Sequence, residues 1–482
     1  MRLFKIKIIG IFIIINLLMS SCSKFLDHQE NPNSPGSSKI SEAVIFPAIC
    51  AQWLQRLQSQ MGGSLTWNLQ QTVSNTGPTG GDLGLMSSNV TNQYFDAYTN
   101  ILAQAKDLEG YAVKNGNTNY QGIAELLQAY GWASVTDFFG KVPYVESFQF
   151  PVIYHPRYDE QSVVYTAIEG LINKAITHLE DAKPQLIIGK EDLIFGGDKS
   201  KWIKLAYSLK ARYAMRLSYA PGKTKAGQAD IVLQALAKGM TATTDNAIFK
   251  HFDVTGSRGW AFEGQRGLSD GYIATIQNIK MMTTTNDPRL PIYFTKDYLG
   301  GYSGLQMGVL FSQTKKPSFV SRTTFMLPTS SSVFMTYAEC KFLEAEAYIF
   351  KGNYASAKIS FELAVNTNLK ALAVPQATIN TFLAQFNFAD NEEKAQEIVI
   401  NQKYLANFYQ TPEMHFDKIR TGYPIYDYTA CYSSNLGTIR VPRQMPYCQG
   451  EVDYNKNVPV YTGTAQTNRN WWDAKPITAN MY

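Results

Sequence analysis

Residues that commonly carry catalysis or bind metals are scarce in this chain of 482 residues. The five histidines are scattered, with no pair at helical i, i+4 spacing and no HExxH sequence, so a zinc site has no support. The chain also lacks a GxSxG nucleophile elbow, a Walker A phosphate loop, a GxGxxG turn and the aspartate run of an EF-hand. We therefore predict a protein with no metal ion, no cofactor and no catalytic residues.

Cysteine is rare as well, with five residues in the chain. Cys50 and Cys340 lie in apolar helical patterns, so we expect them to be small buried side chains. Cys431 and Cys448 lie in a loop-rich region, and their spacing alone leaves open whether they form a disulfide. The fifth cysteine, Cys22, belongs to a separate N-terminal pattern.

Long apolar runs are absent except for residues 8–18, and this run is shorter than the ~20 residues that span a bilayer. Three basic residues precede it, and Ser20, Ser21 and Cys22 follow it. That order is typical of an export signal. Small residues before a cysteine also resemble a bacterial lipoprotein signal, which implies removal of residues 1–21 and lipidation of Cys22. The alternative is an ordinary secretory signal that happens to contain a cysteine.

An excess of charge of one sign is also missing. The formal net charge is +5, and three of these charges belong to Arg2, Lys5 and Lys7 in the signal, which leaves +2 for the rest of the chain. A nearly neutral chain argues against binding to nucleic acid or to an acidic lipid surface.

Helical periodicity dominates the chain after a polar segment, residues 22–40, that has the composition of a tether. In residues 200–219, apolar side chains from Trp202 onward recur every three or four positions, and Arg212 is assigned to an outer face. Strand-like alternation is scarce, so we predict that residues 41–482 form an all-α domain. The predicted helices are 41–61, 91–115, 119–138, 160–182, 200–219, 225–238, 268–283, 333–350, 354–369, 376–387 and 391–408.

One pair of predicted helices, within residues 337–365, matches the tetratricopeptide helix-turn-helix pattern. Gly352 marks the turn. The small and aromatic packing positions are Ala345, Tyr348, Ala357, Phe361 and Ala364. Lys341 and Glu344 stand where a large aromatic residue and a leucine are usual, and no strict 34-residue period recurs in the chain. We therefore expect a degenerate helix-pair scaffold.

Aromatic residues are abundant, at 13% of the chain, and many fall in two irregular regions, residues 63–90 and 239–332. Long irregular segments that carry aromatic rings favour a binding surface, so we predict that these two regions, called the lobe below, face a ligand. The predicted stacking residues are Trp67, Trp260, Tyr298 and Tyr302, and the predicted hydrogen-bonding residues are Arg258, Gln265 and Arg266. The alternative for Trp67 and Trp260 is that they fill the interior of the loops.

Paired carboxylates for glycoside hydrolysis need only meet in space, so a sequence pattern does not exclude them. Glu339, Glu344 and Glu346 lie close together on one predicted helix. We interpret them as charges on a solvent-exposed helix face rather than as catalytic acids.

Motifs in a fixed order over most of the chain resemble the SusD/RagB family of outer-membrane lipoproteins, in particular its SusD-like branch. The motifs are CSKFLD, NPNSP, TDFFGKVPYVES, WIKLAYSLKARYAMRLS, NDPRLPIYF, AECKFLEAEAYIFKGNYASA, EIVINQKYLANF, HFDKIRTGYP and IRVPRQMPYCQGE. One departure is Ile419, where the family more often has the first of two arginines, and we expect it to affect a structural salt bridge. Within NDPRLPIYF, Asp287 is interpreted as a turn or capping residue and Arg289 as its ion-pair partner.

The resemblance implies four degenerate tetratricopeptide-like helix pairs capped by an irregular ligand-facing lobe, with no catalytic residues. It also implies a lipoprotein anchored through Cys22 in the outer membrane and facing the exterior. Such a protein captures a nutrient, usually a glycan, for a SusC-like TonB-dependent transporter. Three alternatives stay open: capture of a peptide or glycopeptide, an exported glycoside hydrolase, and a structural surface protein that binds only other proteins.

Overall fold

The structure is a computed structural model, and helices make up 60% and strands 5% of what it describes. It describes residues 41–56, 72–74, 90, 94–182, 187–250, 272–306, 314–325, 331–388, 391–408, 411–425, 443–460 and 467–476. The predicted all-α fold is confirmed. Over these residues, no helix has both the length and the apolar character needed to cross a membrane.

The first half of the helical scaffold precedes the second irregular region. Its helices are α1 (Glu42–Arg56), α2 (Ala103–Asn115), α3 (Thr118–Phe139), α4 (Gln161–Glu180), α5 (Lys199–Arg216) and α6 (Lys225–Leu236). The first irregular region lies between α1 and α2. A π-helical segment, Asp96–Leu102, leads into α2. From α2 to α6, each helix packs against the next one along the chain, which is the arrangement of a helix-pair solenoid.

The lobe interrupts this stack after α6. The strands are β1 (Thr72–Ser74), β2 (Ala247–Phe249), β3 (Tyr272–Ala274) and β4 (Ser332–Met335). The short helices between β3 and β4 are α7 (Ile276–Thr284), α8 (Leu290–Tyr293) and α9 (Arg322–Phe325). β1 pairs with β3 and β2 pairs with β4, both antiparallel.

The scaffold resumes after β4 and continues to the C-terminal region. Its remaining helices are α10 (Tyr337–Phe350), α11 (Tyr354–Ala371), α12 (Gln376–Leu383), α13 (Glu392–Ala406), α14 (Thr411–Thr421) and α15 (Gln449–Tyr454). α10 packs on α6, α11 and α13. The helices before and after the lobe therefore form one continuous stack.

The α10–α11 pair confirms the tetratricopeptide-like prediction. Gly352 has a φ of +70° in the turn between the helices, a backbone conformation that glycine adopts without steric cost. The side chains at the predicted small and aromatic packing positions Ala345, Ala357, Phe361 and Ala364 are fully buried. Lys341 and Glu344, which depart from the pattern, form an ion pair with a distance of 2.8 Å between Nζ and Oε2. An ion pair thus replaces the usual apolar contact at these positions.

Two predicted helices begin later than expected, because their first residues form strands. Residues 272–274 form β3 rather than the start of α7, and residues 332–335 form β4 rather than the start of α10. Thr275 and Thr336 cap the two helices, with side-chain oxygens that accept the N–H groups of Asn278 and Glu339. Capping threonines fix where each helix starts.

The sequence patterns did not predict α14, although the motif HFDKIRTGYP covers most of it. Pro412 lies in the first turn of this helix, where a missing N–H has no cost. Ile419, the departure from the family pattern, is buried, and its carbonyl oxygen accepts a hydrogen bond from Arg443 Nη1 at 3.1 Å. Arg443 also forms an ion pair with Asp473.

The interpretation of the acidic residues on α10 as solvent-exposed is wrong for two of the three. Glu339 and Glu346 are 1% and 0% exposed. Arg212 Nη2 lies 2.7 Å from Glu339 Oε2, and Arg420 Nη1 lies 2.7 Å from Glu346 Oε1. Arg212 is therefore buried, not on an outer face. Bidentate arginine–carboxylate pairing offsets the desolvation that otherwise keeps such charges at the surface.

Candidate functional site

The lobe contains a small antiparallel sheet that joins its two parts. The register of β1 and β3 runs from Thr72 opposite Ala274 to Ser74 opposite Tyr272. β1 belongs to the first irregular region and β3 to the second, and helices α2 to α6 of the scaffold separate them in sequence. The pairing brings the two regions together, as a common ligand face requires.

The backbone of β3 also pairs with a segment other than β1. The Ala274 N–H donates to the carbonyl oxygen of Ser318 at 2.8 Å, and the Val320 N–H donates to that of Tyr272 at 3.0 Å. Ile273 and Ala274 are fully buried. β3 is therefore the central element on which distant segments of the lobe assemble.

The loop after α8 is fixed to the same strand. The Leu305 N–H donates to the Ala274 carbonyl oxygen at 2.8 Å, and the Ile276 N–H donates back to Leu305 at 3.2 Å. Gly304 approaches this backbone so closely that a Cβ atom would lie 2.2 Å from the carbonyl carbon of Thr275. Only glycine fits at this position, which sets the path of the loop.

A tight turn organises the exposed end of this loop. Asp297 Oδ1 accepts the N–H groups of Leu299 at 3.0 Å and Gly301 at 2.9 Å. A hydrogen bond from Ser303 and these backbone bonds lower the pKa of Asp297, so its carboxylate stays ionised. The turn holds Tyr298 at the surface, where half of the residue is exposed.

Two of the predicted stacking residues can be compared in this loop. Tyr298 is exposed and leaves its ring accessible to a ligand. Tyr302 is partly buried and packs against the core, with Lys296 Nζ 6.0 Å from its ring centroid. Tyr298 therefore fits a stacking role more closely than Tyr302, which also contributes to the packing of the loop.

The other predicted functional residues lie outside the described residues, and their roles remain predictions. They are Cys22, Trp67, Arg258, Trp260, Gln265 and Arg266. In sequence, Trp67 comes shortly before β1, and Gln265 and Arg266 come shortly before β3. Cys431 also lies outside the described residues, so its disulfide with the buried Cys448 stays an open alternative. Cys50 and Cys340 are buried, as expected.

The base of the lobe is anchored to the end of α13. The Tyr293 hydroxyl donates to the carbonyl oxygen of Leu405 at 2.9 Å, and the Tyr293 ring stacks on Phe408 with centroids 5.0 Å apart. The Tyr404 hydroxyl donates to Asn278 Oδ1 at 3.1 Å. The sequence patterns did not predict these supporting residues, although the motif NDPRLPIYF contains Tyr293.

A buried ion pair fixes the entry to α8 and confirms the predicted pairing of Asp287 with Arg289. Arg289 is fully buried, with Nε 2.9 Å from Asp287 Oδ1 and Nη2 2.6 Å from Oδ2. The guanidinium also donates to Gln402 on α13 and to Asn368 on α11. Because Arg289, Asp287 and Gln402 are buried, the loop that carries Tyr298 starts from a rigid position.

The acid with the most functional-looking environment in the described part of the chain has a structural role. Burial raises the pKa of Asp137 to about 7, a shift that is typical of functional acids. However, Asp137 is 1% exposed and accepts hydrogen bonds from the Tyr165 hydroxyl at 2.6 Å and Trp472 Nε1 at 2.7 Å. The Nε atom of Arg216 also lies 3.4 Å from Asp137 Oδ2. A carboxylate enclosed in this way joins helices and does not reach a substrate.

Metal binding has no support in the same part of the chain. None of the described ranges brings three or more histidine, cysteine, aspartate or glutamate side chains together as metal ligands. His178, for example, is paired with Glu125, with 2.7 Å between Nδ1 and Oε2.

Comparisons with known proteins assign the fold and the family. The family model SusD-like_2, described as "Starch-binding associating with outer membrane", matches residues 33–448. No curated protein matches the chain at a significant level.

Solved structures match nearly the whole chain. A SusD/RagB family protein from Bacteroides thetaiotaomicron aligns with a TM-score of 0.73 and 21% identity, covering 90% of this chain and 99% of the other. A Bacteroidetes SusD-like protein aligns with a TM-score of 0.77 and 19% identity, and the alignment covers 90% of this chain and 100% of the other. A chitin-binding SusD homologue from Flavobacterium johnsoniae aligns with a TM-score of 0.72 and 20% identity, and the alignment covers 91% of this chain and 98% of the other. At these identities the structures show the shared fold alone.

Proposed function

Because the chain belongs to the SusD-like family, we propose that it binds an extracellular glycan on the lobe and delivers it to a SusC-like TonB-dependent transporter. The family is described as starch-binding and associated with the outer membrane, and two of the similar structures are described as chitin-binding. These descriptions support a glycan as the ligand class. The choice among glycans depends on the loops of this chain itself.

The observation that carries this proposal is the pairing of β1 with β3. It joins the two irregular regions at one sheet, and the loop that exposes Tyr298 is bonded to the same strand through Leu305. A sugar ring packs the C–H groups of one face on an aromatic ring, while its hydroxyls need hydrogen-bonding groups at the edge. Arg258, Gln265 and Arg266 are proposed to supply such groups.

We infer a binding protein rather than an enzyme. Glycoside hydrolysis needs two carboxyl groups that reach the substrate. The closely spaced acids Glu339 and Glu346 are buried and occupied by Arg212 and Arg420, so neither is available for catalysis. This pairing weighs against the exported glycoside hydrolase as the alternative function.

The anchor and the location are proposed from the N-terminal pattern and the family. Lipidation of Cys22 would hold the protein on the outer membrane, with the folded domain facing the exterior. Stable membrane association needs two or more acyl chains, since a single chain is marginal. Replacing Cys22 with serine is therefore expected to release the protein from the membrane fraction. A membrane-bound variant, together with a wild type that takes up no labelled palmitate, would contradict the lipid anchor.

Glycan binding can be measured by calorimetry with the full chain purified in detergent. The probes are maltohexaose, chitohexaose, cellohexaose and xylohexaose, with a mixture of tryptic peptides as the competing ligand class. We expect one of the glycans to bind and the peptides not to. Binding of peptides with no response to any glycan would instead favour the peptide alternative and overturn the proposal.

The site is tested with the variants Trp67→Ala, Trp260→Ala and Tyr298→Ala. Loss of one stacking platform is expected to weaken binding by about 1–3 kcal/mol. Tyr454→Ala is the matched control, because Tyr454 is a tyrosine that is 80% exposed on α15, outside the lobe. If all three variants stay folded and bind as tightly as the wild type, the site is not on these residues.

A further inference from the structure

A second concave site lies on the scaffold, outside the lobe. It is a cavity of about 350 Å³ between α2, α3 and the segment that follows α3. The residues that matter for its chemistry are Lys106, Gln128, Trp132, Tyr144, Phe148 and Gln149. Ligand pockets span ~300–1,000 Å³, so this volume suits one or two sugar rings better than a long segment of polymer.

Aromatic rings form one wall of the cavity. Trp132 contacts Tyr144 edge to face, with ring centroids 4.8 Å apart, and Phe148 at 6.3 Å. Exposure increases along this wall, from 4% for Trp132 to 39% for Phe148. A buried ring thus supports an exposed one, which is how a rigid stacking platform is held at the mouth of a pocket.

The backbone of Phe148 is unusual. Its φ of +59° lies in the left-handed region, which bulky residues rarely adopt. Lys106 Nζ lies 5.3 Å from the centroid of the Phe148 ring, and the Tyr98 ring lies 6.1 Å away. Strained positions of this kind persist where the surroundings hold them, and they cluster at ligand sites. The strain therefore points to a ring whose placement matters.

Two side-chain amides also line the cavity, and each is oriented by a hydrogen bond. Gln128 Nε2 donates to Glu109 Oε2 at 2.7 Å, and Gln149 Nε2 donates to the Val145 carbonyl oxygen at 2.9 Å. Amides held in this way can accept and donate hydrogen bonds without first becoming ordered. Lys106 adds an ammonium donor. Aromatic faces with preorganised amides at the edge are the chemistry that recognises a sugar ring.

We propose that this cavity is a second carbohydrate-binding site, which takes a single hexose ring or a disaccharide. The inference rests on the proposed function, because both sites would bind parts of the same glycan. Two sites on one molecule raise the avidity for a polymer without any new contact at the first site.

The test measures stoichiometry as well as affinity, using the full chain in detergent. Isothermal titration calorimetry is carried out with each of the probe sugars. These are glucose, galactose, mannose, xylose and N-acetylglucosamine, together with their α-linked and β-linked disaccharides. For the sugar that binds, we expect two sites in the wild type and one site in Phe148→Ala. Gln149→Ala, at an exposed residue, is expected to weaken the scaffold site by about two- to tenfold and leave the fold intact. Tyr454→Ala is the control and should keep both sites.

The outcomes separate this inference from the proposed function. A wild type with one site that is lost in Trp260→Ala and kept in Phe148→Ala and Gln149→Ala would overturn the second site and leave the lobe as the ligand face. A wild type that binds none of the sugars or hexasaccharides would overturn both. Melting temperatures equal to that of the wild type in Gln149→Ala ensure that a lost site is not a consequence of unfolding.

Discussion

In the α10–α11 pair, the packed residues lie close together in the sequence, whereas in the lobe the contacting segments are far apart. Phe342 and Phe361 contact each other edge to face across the short turn at Gly352, with ring centroids 6.3 Å apart. β3, by contrast, pairs with a strand that precedes most of the scaffold in sequence. The pair is stabilised by apolar burial between segments that are neighbours in sequence, and the lobe by backbone hydrogen bonds around β3 and by side-chain contacts with the end of α13. A framework with many redundant contacts can carry loops that differ between relatives and select the ligand.

The largest expected effect is on the scaffold, from removal of a buried charge. Glu346→Ala leaves Arg420 without its bidentate partner in a fully buried site. Breaking such a pair costs about 3–5 kcal/mol of unfolding free energy, measured by urea titration of the circular dichroism signal. The control is Glu362→Ala, which breaks the exposed pair with Lys358 and should cost at most about 1 kcal/mol. Equal losses in both variants would mean that buried pairing does not stabilise the scaffold.

The next effect tests the packing of the helix pair itself. Ala357→Trp places a large ring at a fully buried position between α10 and α11. Overpacking typically costs about 1–3 kcal/mol, so the melting temperature should fall. Ile359→Trp puts the same ring on the same helix at a position that is 68% exposed, and it should have little effect. An unchanged melting temperature in Ala357→Trp would show that the two helices are not closely packed.

A smaller effect is expected at the contact between the lobe and the scaffold. Tyr293→Phe removes the hydroxyl that donates to the Leu405 carbonyl oxygen and keeps the ring stacked on Phe408. The loss of one buried hydrogen bond costs about 0.5–1.5 kcal/mol. Hydrogen exchange should therefore become faster in residues 272–306, while α10 and α11 exchange as in the wild type. Uniform acceleration across the whole chain would show that the lobe does not open separately from the scaffold.

The same contrast explains what the sequence could predict. Most scaffold helices were predictable, because apolar spacing, Gly352 and small packing residues are local signals. The strands β3 and β4 were assigned to helices, since runs of three or four residues have no distinguishing period and their partners are far away in sequence. The arginine that pairs with Glu339 is likewise distant, and a periodic pattern assigns any isolated charge to the surface.

The candidate site was predictable only in its location. Aromatic residues in irregular segments indicated the lobe, and the pairing of β1 with β3 brings those segments together. Which rings are exposed depends on turns such as the one at Asp297, whose hydrogen bonds place Tyr298 outside and leave Tyr302 partly buried. The aromatic cavity near Phe148 had no sequence signal, because its lining combines residues of α2 and α3 with a non-periodic segment that follows α3.

The smallest expected effect on stability distinguishes ligand surface from packing within the lobe. Tyr298→Ala removes a half-exposed ring and should change the unfolding free energy by no more than about 0.5 kcal/mol, while weakening glycan binding. Tyr302→Ala removes a ring that packs against the core, so both stability and binding should fall. Urea titration and calorimetry with the hexasaccharide that binds give the two quantities. If Tyr298→Ala instead lowers stability as much as Tyr302→Ala and leaves binding unchanged, Tyr298 supports the loop and the ligand contacts other residues of the lobe.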